Sequence, residues 1–186
     1  FGPVYPFSCD PKDVLSAENA EDLNCNWWLD VYCKGKYPVF AFKYYERLGL
    51  APVIEEGDLE LLERVKPDFI GINYYQTSTV AFNPLDGVGQ SEGINNTGKK
   101  GSAKESGLPG VYKNAKNPHL ETTNWDWAID PTGLRVGLRR LTSKYNLPIL
   151  ITENGLGEFD KLEENDVVAD VHRIDYLSAH VKACKE

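Results

Sequence analysis

The sequence predicts an α/β fold built on a parallel sheet, of which this chain supplies a part. Three observations carry that expectation. Two short apolar runs, residues 69–72 and 148–151, have the composition of buried strands, and each leads into polar or aromatic residues at its exit. Helical periodicity lies before, between and after them. The resulting order of helix, strand, long loop, helix, strand and helix implies right-handed βαβ units in one parallel sheet. Two central strands cannot close a barrel or bury these helices, so the chain reads as part of a larger fold.

The elements follow in order. Asp10-Pro11 is a helix start, with Asp as N-cap and Pro at the first helical position, and the helix is expected to run to about Cys33 before Gly35 stops it. A shorter helix follows Tyr37-Pro38, with Phe40, Tyr44 and Leu48 on one face. Another fits residues 58–65, where Leu59, Leu62 and Val65 share a face. Residues 69–75 form a strand. Residues 82–124 are rich in Gly, Asn, Lys and Pro and show no periodicity, so they read as a long loop forming an active-site wall. Asp130-Pro131 repeats the helix-start signal, and Leu134, Leu138, Leu141 and Tyr145 make a helical stripe. The strand at 148–151 is expected to be covered on both faces. A last helix over residues 166–185 is predicted to turn Val167, Val171, Ile174, Leu177 and Val181 inward, with Asp170 and Arg173 as a solvated pair.

Composition narrows the function classes. The 186 residues are 41% hydrophobic and include 4 Trp, 10 Tyr and 7 Phe, enough for one core, and no stretch approaches the ~20 apolar residues of a membrane span. From Phe1 onward there is no signal-like pattern. A net charge of -8 argues against nucleic acid or an anionic membrane as the main partner and suits a small neutral or locally bound substrate. The four cysteines include no Cys-x-x-Cys pair and only three histidines accompany them, so neither zinc nor another metal is expected, and free thiols in a cytoplasmic setting are the simplest reading. No cofactor is called for. Asn95-Asn96-Thr97 fits a glycosylation sequon, a pattern that recurs by chance.

The most informative stretch is Ile149-Leu150-Ile151-Thr152-Glu153-Asn154-Gly155. Parallel α/β barrels build their sites on the C-terminal ends of their strands, so a carboxylate at this exit reads as chemistry. The competing reading is a Glu that caps the following turn. Tyr75 stands at the exit of the other strand, with Asn73 two residues earlier. Taken singly, Tyr75 reads as a core aromatic whose hydroxyl is satisfied elsewhere. Trp27-Trp28 reads as packing or interface, whereas Trp125 and Trp127 stand equally for packing or an aromatic wall. His119, His172 and His180 read as ordinary helix or loop residues.

Several motifs together resemble the family-one glycoside hydrolases, retaining β-glycosidases on a (β/α)8 TIM barrel. Ile151-Thr152-Glu153-Asn154-Gly155 resembles the nucleophile motif, and Asp68-Phe69-Ile70-Gly71-Ile72-Asn73-Tyr74-Tyr75 the sixth barrel strand. Trp127-Ala128-Ile129-Asp130-Pro131-Thr132-Gly133-Leu134 resembles the segment before strand seven. Asp170, Arg173-Ile174, Tyr176-Leu177 and His180 resemble the helix after it, and Gly35-Lys36-Tyr37-Pro38 an upstream turn. The resemblance implies a single partial barrel domain over residues 1–186, from about the end of strand five to helix seven. The family's acid/base glutamate, in an Asn-Glu-Pro motif absent from this chain, would lie upstream, so the fragment alone is expected to be inactive.

The resemblance also assigns roles. Glu153 would be the nucleophile, which must stay ionised, and Tyr75 would donate a hydrogen bond to it. From its place on the strand, Asn73 would help order the sugar or the acid/base region, and Trp127, after the long loop, is a candidate to wall a pyranose face as a substrate contact. Asn117-Pro118-His119-Leu120, Trp125-Asp126-Trp127 and Gly155-Leu156-Gly157-Glu158-Phe159-Asp160 look most like the 6-phospho-β-glucosidases, which implies a 6-phosphorylated β-glucoside and a bacterial cytoplasm. The alternatives within the family are a plain β-glucosidase or a 6-phospho-β-galactosidase. The alternative from another class is a catalytically inactive barrel piece that binds sugar or serves structure, its exposed sheet edges favouring a homo-oligomer.

Overall fold

A computed structural model of the chain describes residues 1–91, Asn95 and 97–186. Its centre is a pair of parallel strands, β2 (Ile70–Tyr74) and β6 (Ile149–Asn154), the ladder that the two apolar runs predict. On β2 the side chains alternate, with Ile70, Ile72 and Tyr74 buried and Gly71 and Asn73 exposed. Ile70, Ile72, Ile149 and Ile151 pack with Leu141, Leu138, Tyr145 and Leu29 of the helices. The opposite face is open. Leu150 is 52% exposed, so the expectation of a strand covered on both faces is corrected: helices cover one side of this ladder only.

The helical layer is built much as the capping signals predict. α1 (Pro11–Glu21) starts where Asp10 accepts the Lys12 amide at 2.9 Å. The rod continues through a π-helical turn (Asp22–Asn26), the short α2 (Trp27–Leu29) and a second π turn (Asp30–Lys34) before stopping at Gly35. Gly35 has φ 68°, and a Cβ there would meet the Leu62 carbonyl at 2.3 Å, so both conformation and close approach require glycine. Trp27 is buried edge-on among Phe40, Tyr44 and Tyr45, and Trp28 is exposed beside it. α3 (Val39–Leu48) and α4 (Asp58–Arg64) follow. Of the predicted faces, Phe40 and Tyr44 of α3 are half-buried against Trp27 and Leu62 of α4 is half-buried, whereas Leu48, Leu59 and Val65 are exposed.

The structure adds a second sheet that the sequence pattern does not predict. Its order is β1 (Val4–Pro6), β3 (Ser78–Ala81), β5 (Tyr112–Asn114) and β4 (Gly107–Leu108), with β1 and β3 parallel and the other pairs antiparallel. Residues 82–124 are therefore not a structureless loop. Strands of two to four residues carry no readable periodicity, and side-chain hydrogen bonds hold much of this excursion. Asn83 is fully buried, donating to the carbonyls of Val88 (2.9 Å) and Tyr112 (3.1 Å) and accepting the Val88 amide. Within the sequon, Asn96 lies outside the described residues. Asn95 is buried, and its amide nitrogen donates to Lys99 O and Asp126 Oδ2.

α5 (Pro131–Tyr145) begins at a buried cap. Asp130 accepts the Gly133 amide at 2.7 Å and the Thr77 hydroxyl at 2.9 Å, while its carbonyl accepts the Tyr74 hydroxyl at 2.6 Å. One residue thus ties the helix start to the end of β2. α6 (Val171–Lys185) starts later than residue 166, because Asn165 and Asp166 have positive φ and Leu162 bridges Val168. Its inward face is also corrected. Val171, Ile174, Leu177 and Val181 are 41% to 60% exposed, Val167 is exposed before the helix, and Tyr176 and His180 are buried instead. The side chains that reach the core are the two whose rings lie against Tyr74 and the strand ends. Asp170 and Arg173 do pair, at 2.7 Å, and Arg173 also reaches Asp160.

A polar cluster fastens the first rod to the end of α5. Asp30, in the second π turn, accepts the Tyr145 hydroxyl at 2.7 Å and pairs with Lys34 and Lys144 at 3.1 and 3.0 Å. Burial opposes ionisation of Asp30, but these three donors outweigh it and hold the carboxyl below the usual aspartate range. A depressed folded pKa stabilises the fold above about pH 4 and loses that contribution as pH falls through the lower folded value. In the intact protein, the melting temperature should therefore fall more between about pH 5 and about pH 3 than it does in Asp30→Asn. Equal slopes for the two proteins would remove Asp30 from the acid response.

Candidate active site

Glu153 reaches the open face of the ladder through an interruption in strand alternation. Ile149 and Ile151 face the helices, and in an unbroken strand Glu153 would follow them. Instead, Ile72 lies opposite Ile151 but Asn73 lies opposite Glu153, which leaves Thr152 as the extra residue of a bulge. Thr152 and Glu153 are consequently both exposed, one after the other. The Thr152 hydroxyl lies 3.0 Å from the Ile72 carbonyl and 2.6 Å from Asn73 Oδ1, so the side chain engages the strand where the register slips.

The phenol of Tyr75 donates to Glu153 Oε2. This hydrogen bond, with a smaller contribution from burial, raises the Tyr75 pKa and keeps its proton in place. Glu153 and Asn73 are exposed, and Tyr75 is half-buried at their edge. Asn73 does not touch the carboxylate. Its Oδ1 meets Thr152, and its backbone carbonyl accepts the Phe1 amino group at 2.8 Å.

An aromatic wall rises beside this pair. The Trp127 ring stands edge-on to Tyr75 with centroids 5.8 Å apart, Trp125 lies 6.2 Å beyond it, and Phe159 packs 6.3 Å from Trp125. A Cβ at Gly157 would meet the Trp125 ring at 2.9 Å, so that segment can pass the indole only as glycine. Polar contacts fix the wall from three directions. Glu158 accepts from the Asn124 side chain at 2.7 Å and backbone at 3.3 Å. Gln76, just past Tyr75, accepts the Ala128 amide at 2.9 Å. Asp126, at φ 61°, accepts from Gly101, Ala103 and Asn95. Burial opposes ionisation of Glu158, but hydrogen bonds from Phe159 and Asn124 prevail and hold its carboxyl below the usual range.

The structure thus brings Glu153, Tyr75, Asn73 and Trp127 to one end of the ladder, while His119 and His172 are exposed elsewhere and Trp27 belongs to the helix layer. Sequence reasoning missed Thr152 as the bulge residue, and missed Asn154, Gln76 and Tyr176 as supports. A Thr-Glu pair at a strand exit carries no period-two signal for a bulge; the motif around Tyr176 and His180 was visible, but its contacts span about a hundred residues. Among the described residues no group of three or more His, Cys, Asp or Glu has metal-holding geometry, and no helix is long and apolar enough to cross a membrane.

Residues 2–186 match Glycosyl hydrolase family 1. The aryl-phospho-beta-D-glucosidase BglC of Bacillus subtilis is 57% identical over 186 residues, which cover all of this chain and 39% of that protein. The aryl-phospho-beta-D-glucosidase BglA of the same organism is 39% identical over 99% of the chain and 35% of its own length. A crystal structure of a beta-glucosidase from Exiguobacterium marinum superposes with a TM-score of 0.76 at 31% identity, covering the whole chain and 37% of that structure. The chain therefore spans well under half the length of these relatives, and its parallel ladder with flanking helices is part of a (β/α)8 barrel. On both sequence and fold, the chain belongs to glycosyl hydrolase family 1.

Proposed function

We propose that the protein containing this chain hydrolyses β-glycosidic bonds with retention of configuration, with Glu153 as nucleophile and 6-phospho-β-glucosides as substrates. The observation that carries the proposal is the Tyr75 phenol donating to a strand-exit carboxylate that a bulge has turned onto the open face. A carboxylate accepting a hydrogen bond is favoured in its charged form, the form that attacks. In this reading Glu153 attacks the anomeric carbon while the bond to the leaving oxygen breaks. A second carboxyl group, about 5–5.5 Å away and supplied from outside these residues, protonates that oxygen. The same group then takes a proton from the water that releases the sugar. Asn73 would contact the sugar from the same strand end, and Trp127, with the end of the 82–124 excursion, would wall the site.

The 6-phosphate is supported by the names of BglC and BglA together with the high identity of the first. The β-glucosidase of known structure, at 31% identity, supports the unphosphorylated alternative less strongly. A cytoplasmic setting belongs to the same proposal, since all four cysteines are free thiols and phosphorylated sugars are products of uptake into that compartment.

In the full-length protein, Glu153→Ala should abolish turnover while sugar binding, measured by calorimetry, persists. Near-normal turnover would defeat the assignment. The 186-residue chain by itself should show no glycosidase activity, and turnover by the purified chain would contradict the need for the second carboxyl group. The substrate assignment is separable. Aryl 6-phospho-β-glucoside should be preferred over the unphosphorylated glucoside by about a hundredfold or more in kcat/KM, as expected of a site built around a charged group. Equal rates would favour a plain β-glucosidase, and preference for the galacto epimer a 6-phospho-β-galactosidase.

A further inference from the structure

We propose that Tyr176 is a positioning residue, its hydroxyl joining the ends of the two strands that carry Tyr75 and Glu153 and thereby holding the phenol on the carboxylate. The inference rests on Glu153 acting as nucleophile and extends the site to a residue of α6.

The contacts form one connected chain. The Tyr176 hydroxyl donates to the Tyr75 carbonyl at 2.6 Å and accepts from Asn154 Nδ2 at 3.2 Å. The other Asn154 amide hydrogen goes to the Tyr74 carbonyl at 2.9 Å. Asn154 follows Glu153 directly, so a single oxygen meets both the backbone that bears the phenol and the side chain next to the acid. This matters because regular pairing is disturbed just there. The bulge breaks the register between Ile72 and Asn73, and Tyr75 lies beyond the last paired residue of β2. The strand ends need another tie, and the hydroxyl provides it.

Tyr176 is itself well fixed. It is 3% exposed, and His180, one turn later on α6 and 1% exposed, stacks on its ring with centroids 3.8 Å apart. His180 Nδ1 lies 2.7 Å from the Tyr176 carbonyl, and burial lowers the imidazole pKa, so a neutral ring donating from Nδ1 fits the site. Burial pushes the Tyr176 pKa up to about 12, which keeps the donating proton in place. The alternation of buried and exposed residues on α6 follows from this arrangement, since the helix turns its two rings, rather than its aliphatic stripe, toward the strand ends.

The test is Tyr176→Phe in the full-length protein, which removes the hydroxyl and keeps the stacked ring. Circular dichroism and the melting curve establish that the variant is folded. The expected result is a loss of about tenfold in kcat with KM nearly unchanged, because a loosened phenol supports the attacking carboxylate less well in the transition state. If Tyr176 acts through Tyr75, adding Tyr176→Phe to Tyr75→Phe should cost less than about twofold more. An unchanged kcat, a loss carried by KM, or losses that multiply in the double variant would overturn the positioning role. The two levels are distinguishable. A dead Glu153→Ala with a wild-type-like Tyr176→Phe refutes the positioning alone, whereas an active Glu153→Ala refutes the nucleophile beneath it.

Discussion

The bulge at Thr152 is the constraint on which the site depends. Strand geometry sends alternate side chains to opposite faces, and the packing of Ile149 and Ile151 on the helices would commit Glu153 to the same buried side. Burying an ionised carboxylate without a partner is costly, so an unbroken β6 would either distort or neutralise the acid. One extra residue resolves the conflict by rotating Glu153 to the open face while the aliphatic anchors stay in place. Thr152 suits that position because its hydroxyl reaches both the Ile72 carbonyl and Asn73 across the disturbed ladder.

What surrounds the bulge is a set of ties between elements distant in sequence. Asp130 joins β2, Thr77 and the start of α5, and Gln76 joins the end of β2 to the segment carrying Trp127. Glu158 and Asn124 connect the residues after Glu153 to the end of the 82–124 excursion. The Asp130 contacts are buried, so loss of one partner there leaves the other unsatisfied. Farther away, Asp30 binds the first helical rod to α5 through Tyr145, Lys34 and Lys144. The ladder is thereby backed by helices on one side and laced at its C-terminal end, and its other face remains open.

Much of this could be read from the chain itself. Asp10-Pro11 and Asp130-Pro131 announced helix starts because capping is a local interaction, and Gly35 announced a stop for the same reason. The paired strands were visible in two apolar runs, and Tyr75 and Glu153 could be named because both stand at strand exits within recognisable motifs. The second sheet was not visible, since β4 and β5 are two and three residues long and their register depends on partners such as Asn83. The inward face of α6 escapes the sequence for a related reason. An aliphatic stripe satisfies helical periodicity, yet this structure buries Tyr176, whose hydroxyl bonds the strand ends, and His180, whose ring stacks on Tyr176 and whose Nδ1 lies against the Tyr176 carbonyl. Periodicity reports amphipathicity and leaves the choice of neighbour to tertiary contacts.

The most direct measurement is covalent capture. A 2-deoxy-2-fluoro 6-phospho-β-glucoside bearing a good leaving group forms a glycosyl-enzyme that breaks down slowly, and peptide mass spectrometry locates the modified side chain. The adduct is expected on Glu153 in the full-length protein. An adduct on another carboxylate, or normal turnover of the reagent's parent glycoside with Glu153 absent, would contradict it.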